Sequence, residues 1–262
     1  MTSTLTGKKI VNTQASHAAA ELDELLRQCG AEPLAYPSTR VVPPTDTAPL
    51  DEAVRDALAG RFDWLLLPTA HAAYMIAQRL AALDLGPLPQ TLHLGAIGAR
   101  AAQATERELG RAPYLVPEDD VAEAFFKASS NGHDLRVLLP QGDLARPLHA
   151  RGPAEHSLHV TAVPAYRTLL GSGGVDLPLL LAEGRVDGIT LTSPVSARNL
   201  DERLDAEGAF KDALAGLPIA CSDPATAAAA VELGGIVLEC NGRSLDRLLD
   251  ELERYFSTRG GD

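Results

Sequence analysis

The fold of this chain is decided by one stretch, "AEGRVDGITLTSPVSARNLDERL", at residues 182–204. Its apolar run at residues 188–191 predicts a buried strand, and a helix is predicted to start directly afterwards. Ser193 suits the N-cap of that helix, because its side-chain oxygen can accept a hydrogen bond from an amide that the helix start leaves unpaired. Pro194 suits the first helical position, where its missing N–H costs nothing. The same helix start could also hold an anion, since free amides and the positive end of the helix dipole converge there.

A similar stretch occurs earlier in the chain, as "LAGRFDWLLLPTAHAAYMIAQRL" at residues 58–80. Three positions recur at a constant offset of 124 residues, namely Gly60 with Gly184, Arg61 with Arg185 and Asp63 with Asp187. The segment "AIGARAAQATERELG" (96–110) matches "ACSDPATAAAAVELG" (220–234) at the same offset. Such self-similarity is typical of an internal repeat.

The segments that precede these stretches also form pairs. Both "KKIVNTQ" (8–14) and "LRVLLPQ" (135–141) predict short buried strands. The segment "AEPLAYPSTR" (31–40) resembles "HVTAVPAYRT" (159–168) at an offset near 127. The sequence therefore predicts a duplicated α/β unit of about 110–125 residues.

In each half, short apolar strands alternate with longer helical patterns, which favours a parallel sheet covered by helices on both faces. We expect two similar doubly wound, flavodoxin-like parallel-sheet domains. Ligands of such sheets bind beyond the carboxyl ends of the strands. Hydroxyl-bearing turns occur at these ends: Thr69, Thr192 with Ser193, and Thr226. They are therefore candidates for ligand binding as well as for helix capping.

The composition is that of a globular protein, with 45% hydrophobic and 22% charged residues. The formal net charge is −12 and the chain contains no run of Lys and Arg, so no nucleic-acid partner is expected. An anionic ligand would have to be held by local hydrogen-bond donors and cations, because the net negative charge of the protein repels it. The apolar runs are far shorter than the roughly 20 residues that a membrane span needs, so no membrane partner is expected.

The cysteines and histidines do not suggest a metal site. Three cysteines without a CxxC pair suit a reducing compartment, and the first residues lack the apolar stretch of a signal peptide, so we expect a cytoplasmic protein. His149, His156 and His159 lack the spacing of zinc ligands. No glycine-rich phosphate loop opens a helix, and Ser193 lacks the Gly-x-Ser-x-Gly turn of hydrolases.

Four motifs occur in order along the second half of the chain. They are "VLLPQGDLARPLHARG" (137–152), "VPAYRT" (163–168), "LTSPVSARNL" (191–200) and "DPATAAAAVELG" (223–234). The first resembles the strand and Gly-Asp-x-x-Arg turn of the uroporphyrinogen-III synthase family, and the second resembles its Val-x-x-Tyr-x-Thr strand. The last two resemble its Thr-Ser-Pro-Ser and Gly-Pro-Thr-Thr-Ala helix openings. The resemblance covers nearly the whole chain.

The resemblance implies two α/β domains joined by a two-stranded ribbon. The first domain would contain residues 1–37 and 168–262, and the second would contain residues 38–167, with ribbon segments near 35–42 and 163–170. It also implies an enzyme without metal or organic cofactor. We expect a monomer. Its substrate is hydroxymethylbilane, a linear tetrapyrrole with many carboxylates. The enzyme removes water and closes the macrocycle through a spiro intermediate, with the last pyrrole ring inverted.

This chemistry needs positioning more than it needs a strong nucleophile. Ionisation of the hydroxymethyl group gives a reactive azafulvene by itself, and closure without enzyme gives the uninverted isomer. A tyrosine could donate a hydrogen bond to the departing hydroxyl, and Tyr166 falls at the position of the family's tyrosine; the alternative is that its ring only packs. The candidate substrate-binding residues are Thr69, Arg100, Gly142, Arg146, Thr192, Ser193 and Thr226. Ser193 and Thr226 are each expected to cap a helix and to hold a substrate carboxylate.

Several turns depart from the family pattern. The usual Thr-Arg-Pro after the first strand is here Asn12-Thr13-Gln14, and Pro68-Thr69-Ala70-His71-Ala72 replaces Thr-Ser-Ala-Asn-Gly. Gly98-Ala99-Arg100 lacks the threonine of its turn, and Asp223 stands where glycine is common. Two alternatives therefore remain: a catalytically idle relative that binds a tetrapyrrole or another polyanion as a sensor, and a two-domain binding protein for small metabolites.

Overall fold

The computed structural model describes residues 3–117, 134–143, 158–240 and 244–259. The chain packs into two compact units. The first unit contains Met1–Arg40 and Leu169–Asp262, and the second contains Val41–Thr168. The chain passes between the units twice, within one strand on the way out and within another on the way back.

The strands and helices alternate along most of the chain. In chain order, the described elements are β1 (Lys9–Asn12), α1 (Ala20–Gln28), β2 (Glu32–Ala35), β3 (Thr39–Val42), α2 (Ala48–Leu58), β4 (Trp64–Leu67), α3 (Ala70–Ala82), β5 (His93–Ala96), α4 (Gly98–Leu109), β6 (Leu135–Gly142), β7 (Leu158–Leu170), α5 (Leu177–Ala182), β8 (Gly188–Leu191), α6 (Pro194–Ala206), β9 (Pro218–Cys221), α7 (Pro224–Ala230), β10 (Ile236–Glu239) and α8 (Leu245–Arg259). Short 3-10 turns lie at Ser16–Ala18 and Val231–Leu233.

The first unit contains a five-stranded parallel sheet in the order β10-β9-β8-β1-β2. Counted along this unit alone, the order is 2-1-3-4-5, as in flavodoxin-like sheets. Successive residues of a strand point to opposite faces: Val11 packs into a core with α6, and Ile10 packs into a core with α1 and α8. Helices therefore cover both faces, which is why all four residues of β8 and of β9 are buried.

The second unit contains a five-stranded sheet in the order β3-β7-β6-β4-β5. The pairs β4–β5, β4–β6 and β6–β7 are parallel. On β4, Leu65 and Leu67 pack against α2 and α3, whereas Trp64 and Leu66 belong to a core on the opposite face. The predicted α/β class with parallel sheets is thus confirmed.

The recurring aspartates perform the same structural task in both units. The carboxylate of Asp187 accepts a hydrogen bond of 2.8 Å from the backbone N–H of Lys9, the first residue of β1. The carboxylate of Asp63 accepts one of 2.9 Å from the backbone N–H of Arg136 in β6. Each aspartate also forms an ion pair, at 3.1 Å with Lys8 and at 2.8 Å with Arg136. The Gly-Arg-x-Asp pattern therefore marks where each central strand pair begins.

Within the described ranges, no helix is long and apolar enough to cross a membrane. Among the same residues, no three or more His, Cys, Asp or Glu side chains are arranged to hold a metal ion.

Candidate active site

Tyr166 and Thr69 meet in the second unit. The Tyr166 hydroxyl and the Thr69 Oγ1 lie 2.9 Å apart, at hydrogen-bond distance. Thr69 follows β4 and is the N-cap of α3, where its Oγ1 accepts a hydrogen bond of 3.1 Å from the Ala72 N–H. The threonine oxygen thus contacts both a helix amide and the tyrosine hydroxyl.

Gly142 makes this contact possible. Tyr166 lies on β7 and Thr69 follows β4, and β6, which ends in Gly142, lies between these two strands. A Cβ atom on Gly142 would lie 2.5 Å from Cε2 of Tyr166 and 2.7 Å from its Cζ, closer than any side chain permits. The tyrosine ring therefore crosses β6 over the one position that has no side chain.

The backbone around Tyr166 is held by Asp143. The register of β6 with β7 shifts between Gln141 and Gly142, so that Gly142 pairs with Tyr166. The Asp143 N–H donates to the Tyr166 carbonyl at 3.1 Å, and the Asp143 carboxylate accepts a bond of 3.0 Å from the Thr168 N–H. Tyr166 thus pairs with the last residue of β6, at the carboxyl end of this strand, where ligands of such folds bind.

Tyr166 is in its protonated form near neutral pH. Only 7% of the residue is exposed. Burial raises the pKa of its phenol above the usual value, and the nearby Asp143 carboxylate raises this pKa further. The hydrogen bond with Thr69 acts in the opposite direction and lowers the pKa. The site therefore presents a weak acid that can donate a hydrogen bond.

Ser193 is the N-cap of α6, in the first unit. Its Oγ accepts a bond of 3.1 Å from the Ser196 N–H, and its own N–H donates to Ser196 Oγ at 3.1 Å, which completes a capping box. Pro194 follows as expected and has no N–H to offer. The predicted cap is confirmed, but two of the amides that could have bound an anion already have side-chain partners.

The prediction that Thr226 caps its helix is wrong. Asp223 is the N-cap of α7, and its carboxylate accepts the bond of 2.9 Å from the Thr226 N–H. Thr226 is fully buried, and its hydroxyl has no hydrogen-bond partner among the residues that the structure describes. Asp223 takes the cap because it directly precedes Pro224, the same order as Ser193 and Pro194. A carboxylate at this helix start opposes the binding of a second carboxylate.

The remaining candidates are distributed over both units. Thr192 lies between the end of β8 and Ser193, and Arg100 lies in the first turn of α4, directly after β5; both are partly exposed. Arg146, like His149 and His156, lies outside the described residues. His159 is exposed, with its Nε2 3.4 Å from an Asp134 carboxylate oxygen.

The altered turn after β1 is occupied by internal hydrogen bonds. The Asn12 amide donates to the Asp23 carboxylate at 2.8 Å and its carbonyl accepts from the Gln14 N–H at 3.0 Å. The Thr13 hydroxyl donates to the Thr190 carbonyl at 2.7 Å. These side chains are thus used to hold β1 in place.

The fold and the site define a class of protein: a parallel α/β protein with a buried, protonated tyrosine at the carboxyl ends of its strands. The family model described as uroporphyrinogen-III synthase HemD matches residues 20–249. The chain therefore belongs to the uroporphyrinogen-III synthase family, as its motifs predict.

Individual relatives agree with this assignment. The chain is 28% identical to a uroporphyrinogen-III synthase of Synechococcus elongatus, over 96% of each chain. A solved uroporphyrinogen III synthase of Thermus thermophilus, in a mutant form, matches with a TM-score of 0.51 at 21% identity, over 96% of this chain and 100% of the other. The enzyme of Helicobacter pylori also matches with a TM-score of 0.51, at 12% identity, over 95% and 99%. At these identities the two structures show a shared fold.

Proposed function

We propose that this protein is a uroporphyrinogen-III synthase that converts hydroxymethylbilane to uroporphyrinogen III. It removes the terminal hydroxyl as water and closes the ring with the last pyrrole inverted. The observation that carries the proposal is the Tyr166 hydroxyl, which is protonated, held at 2.9 Å from Thr69 and located at the carboxyl end of a parallel sheet in a member of this family. The comparisons give no support to a sensor that has lost its activity.

Tyr166 is assigned the role of the weak acid. In the productive arrangement, the Ala72 N–H donates to Thr69 Oγ1, the Thr69 hydroxyl donates to the Tyr166 oxygen, and Tyr166 donates to the departing hydroxyl of the substrate. The first bond comes from the positive end of α3, and hydrogen bonds in a chain strengthen one another. The carbon–oxygen bond breaks as the Tyr166 proton moves to the hydroxyl, which leaves as water. The protonated azafulvene that remains is attacked by a pyrrole carbon of the same bilane, and the proton released when the ring closes returns to the Tyr166 phenolate. General-acid help of this kind is expected to contribute about 10–100-fold here, at or below the low end of its usual range.

The substrate carboxylates are assigned to local donors. With a net charge of −12, the protein as a whole repels a polyanion, so binding depends on groups at the strand ends. Arg100 at the start of α4 and Thr192 with Ser193 at the start of α6 are our candidates for this role. The protein would act as a cytoplasmic monomer with the linear tetrapyrrole as its small-molecule partner and with no metal or organic cofactor.

We further propose that the chain arose by tandem duplication and that each unit combines parts of both copies. Helices α3 and α6 both have 13 residues, start at an offset of 124 and are capped by the hydroxyl residues Thr69 and Ser193. Strands β4 and β5 would correspond to β8 and β9, and β1 to β6. The first unit then joins the start of one copy to the end of the other. An experimental structure in which the two sheets fail to superpose in this correspondence would contradict the duplication.

The decisive experiment is an assay of the purified protein with freshly generated hydroxymethylbilane, followed by separation of the uroporphyrinogen isomers. We expect type III product, whereas a sample without protein gives the uninverted isomer. Tyr166→Phe removes only the hydroxyl and is expected to lower turnover about 10–100-fold. Saturable binding of the bilane with no type III product would contradict the proposed enzyme. Full turnover of a folded Tyr166→Phe variant would contradict the role of Tyr166 alone.

A further inference from the structure

A histidine lies against the ring of Tyr166. His71 belongs to the first turn of α3, two residues after Thr69. The centroids of the His71 and Tyr166 rings are 5.6 Å apart and their planes meet at 74°, an edge-to-face arrangement. His71 is partly exposed, whereas Tyr166 is buried. The more exposed imidazole therefore packs against the buried tyrosine ring.

We propose that His71 is a positioning residue for Tyr166, whose ring it covers and whose hydroxyl direction it fixes together with Thr69 and Gly142. This inference rests on the proposed role of Tyr166 as the acid. It concerns a turn in which this chain departs from its family, since His71 falls where the family pattern has asparagine.

Three different contacts restrain the tyrosine. The Thr69 Oγ1 holds the hydroxyl at 2.9 Å. Gly142 lets the ring rest against the backbone of β6, which limits movement in that direction. Neither contact prevents the ring from swinging away from β6 toward solvent, and an edge-to-face aromatic partner restrains this motion. A hydroxyl held in one direction donates more efficiently to a departing group than one that samples several.

In this proposal His71 acts through its ring. An edge-to-face contact needs only an aromatic ring of about the right size, so another aromatic ring can replace the imidazole without loss of the contact. The proposal therefore predicts different outcomes for two substitutions: His71→Phe keeps an aromatic ring, and His71→Ala removes it.

The first readout does not depend on activity. Protein labelled with ¹³C at the tyrosine Cζ reports the ionisation of each of the five tyrosines by NMR, and Tyr166→Phe identifies the Tyr166 signal. Because burial raises the pKa of Tyr166, His71→Ala is expected to lower this pKa toward the usual value by admitting water. His71→Phe is expected to leave it raised. An unchanged pKa in His71→Ala would show that the imidazole does not cover the ring and would overturn the proposal.

The second readout is the rate of type III formation. His71→Ala is expected to lower kcat about 10-fold and to leave KM within about twofold, because orientation of the acid is lost while substrate contacts remain. His71→Phe is expected to restore kcat. Failure of His71→Phe to restore kcat, when it restores the pKa, would show that an imidazole nitrogen is required and would overturn the positioning role.

His93→Ala is the matched control. His93 makes a similar contact in the same unit, with its ring centroid 5.4 Å from that of Tyr114. Its loss is expected to change the Tyr114 signal and to leave the Tyr166 pKa and kcat unchanged. The NMR result and the activity of Tyr166→Phe are independent, so failure of the positioning role and failure of the proposed acid can be told apart. A His93→Ala variant that shifts the Tyr166 pKa as much as His71→Ala would also overturn the proposal.

Discussion

Gly142 and Tyr166 are in such close contact that a Cβ atom on the glycine would lie 2.5 Å from the tyrosine ring. The two residues are on neighbouring strands and pair directly, after the register shift between Gln141 and Gly142. The missing side chain therefore serves the site rather than backbone flexibility. It lets the phenol cross β6 and reach Thr69 beside β4.

Gly142→Ala is expected to displace the Tyr166 ring and to lower turnover at least about 10-fold, comparable to the loss of general-acid help. Overpacking of this kind also destabilises a fold by about 1–3 kcal/mol. The rate of type III formation, measured at temperatures where the variant is fully folded, checks the prediction. Gly86→Ala is a suitable control, because no atom lies within 4 Å of the added methyl. Equal turnover of the two variants would show that the ring position does not matter.

Thr69→Val is expected to raise the pKa of Tyr166 above that of the unmodified protein, because the hydrogen bond from Thr69 lowers this pKa. The same substitution removes the cap of α3 and lowers the free energy of unfolding by about 1 kcal/mol. Thr69→Ser keeps the oxygen and is expected to change neither property appreciably. The NMR titration of Tyr166 measures the shift. A lower pKa in Thr69→Val would mean that the hydroxyl contact does not stabilise the phenolate.

The raised pKa of Tyr166 also determines an effect of alkaline pH. The folded protein holds the phenol proton more tightly than the unfolded chain does, so this group contributes stability that is complete below the usual pKa of about 10. That contribution is lost as the pH rises through the higher pKa of the folded state. Denaturant titrations at several alkaline pH values are expected to show a smaller loss of stability in Tyr166→Phe than in the unmodified protein. Identical pH profiles would contradict the pKa direction.

Local signals in the sequence were sufficient for the fold class and for several helix starts. The caps at Thr69 and Ser193 involve atoms three residues apart, so composition and spacing reveal them. Asp223 could have been recognised by the same rule, because it directly precedes a proline as Ser193 does. The recurrence of hydroxyl-bearing turns at the strand ends favoured Thr226 instead, and in the structure Asp223 is the N-cap.

The contact of Tyr166 with Thr69 could not be predicted in the same way. It joins residues 97 positions apart and depends on β6 lying between β7 and β4. It also depends on a register shift next to Gly142, which pattern and propensity do not specify. Only the presence of a glycine directly after a buried strand hinted that another group approaches the backbone closely there.

Arg203 is expected to be a major contributor to the stability of the first unit. Its guanidinium donates to the Glu207 carboxylate at 2.7 Å, to the Pro37 carbonyl at 2.8 Å and to the Gly173 carbonyl at 2.7 Å. It also lies 3.6 Å from the centroid of the Tyr36 ring, and only 3% of the residue is exposed. It thus joins the segment that leaves this unit to the segment that returns to it.

Arg203→Ala is therefore expected to lower the free energy of unfolding by about 3 kcal/mol, mainly because the Pro37 and Gly173 carbonyls lose their donor, whereas the exposed Glu207 carboxylate can be solvated. Arg203→Lys is expected to recover only part of the lost stability, because an ammonium group cannot reproduce the planar set of N–H donors of a guanidinium. Urea denaturation measures both. Arg185→Ala breaks an exposed pair with Glu183 and is expected to change stability by less than about 1 kcal/mol. If Arg203→Ala lowered the free energy of unfolding by as little as Arg185→Ala, the role assigned to the buried contacts of Arg203 would be contradicted.

Ser193→Ala tests whether a helix cap also binds substrate. Loss of the capping box is expected to lower the free energy of unfolding by about 1 kcal/mol whether or not the helix start binds a carboxylate.

Asp176→Ala is the control. Asp176 caps α5 by accepting a hydrogen bond of 3.1 Å from the Leu179 N–H, and α5 carries no candidate ligand residue. Its loss is expected to cost a similar amount of stability. At a temperature where both variants are folded, we expect a higher KM for hydroxymethylbilane in Ser193→Ala alone. Since two of the amides at this helix start are already bonded within the capping box, the increase should be about 10-fold, the low end for one hydrogen bond to a charged group. Equal KM values in the two variants would show that the start of α6 is a helix cap and no more.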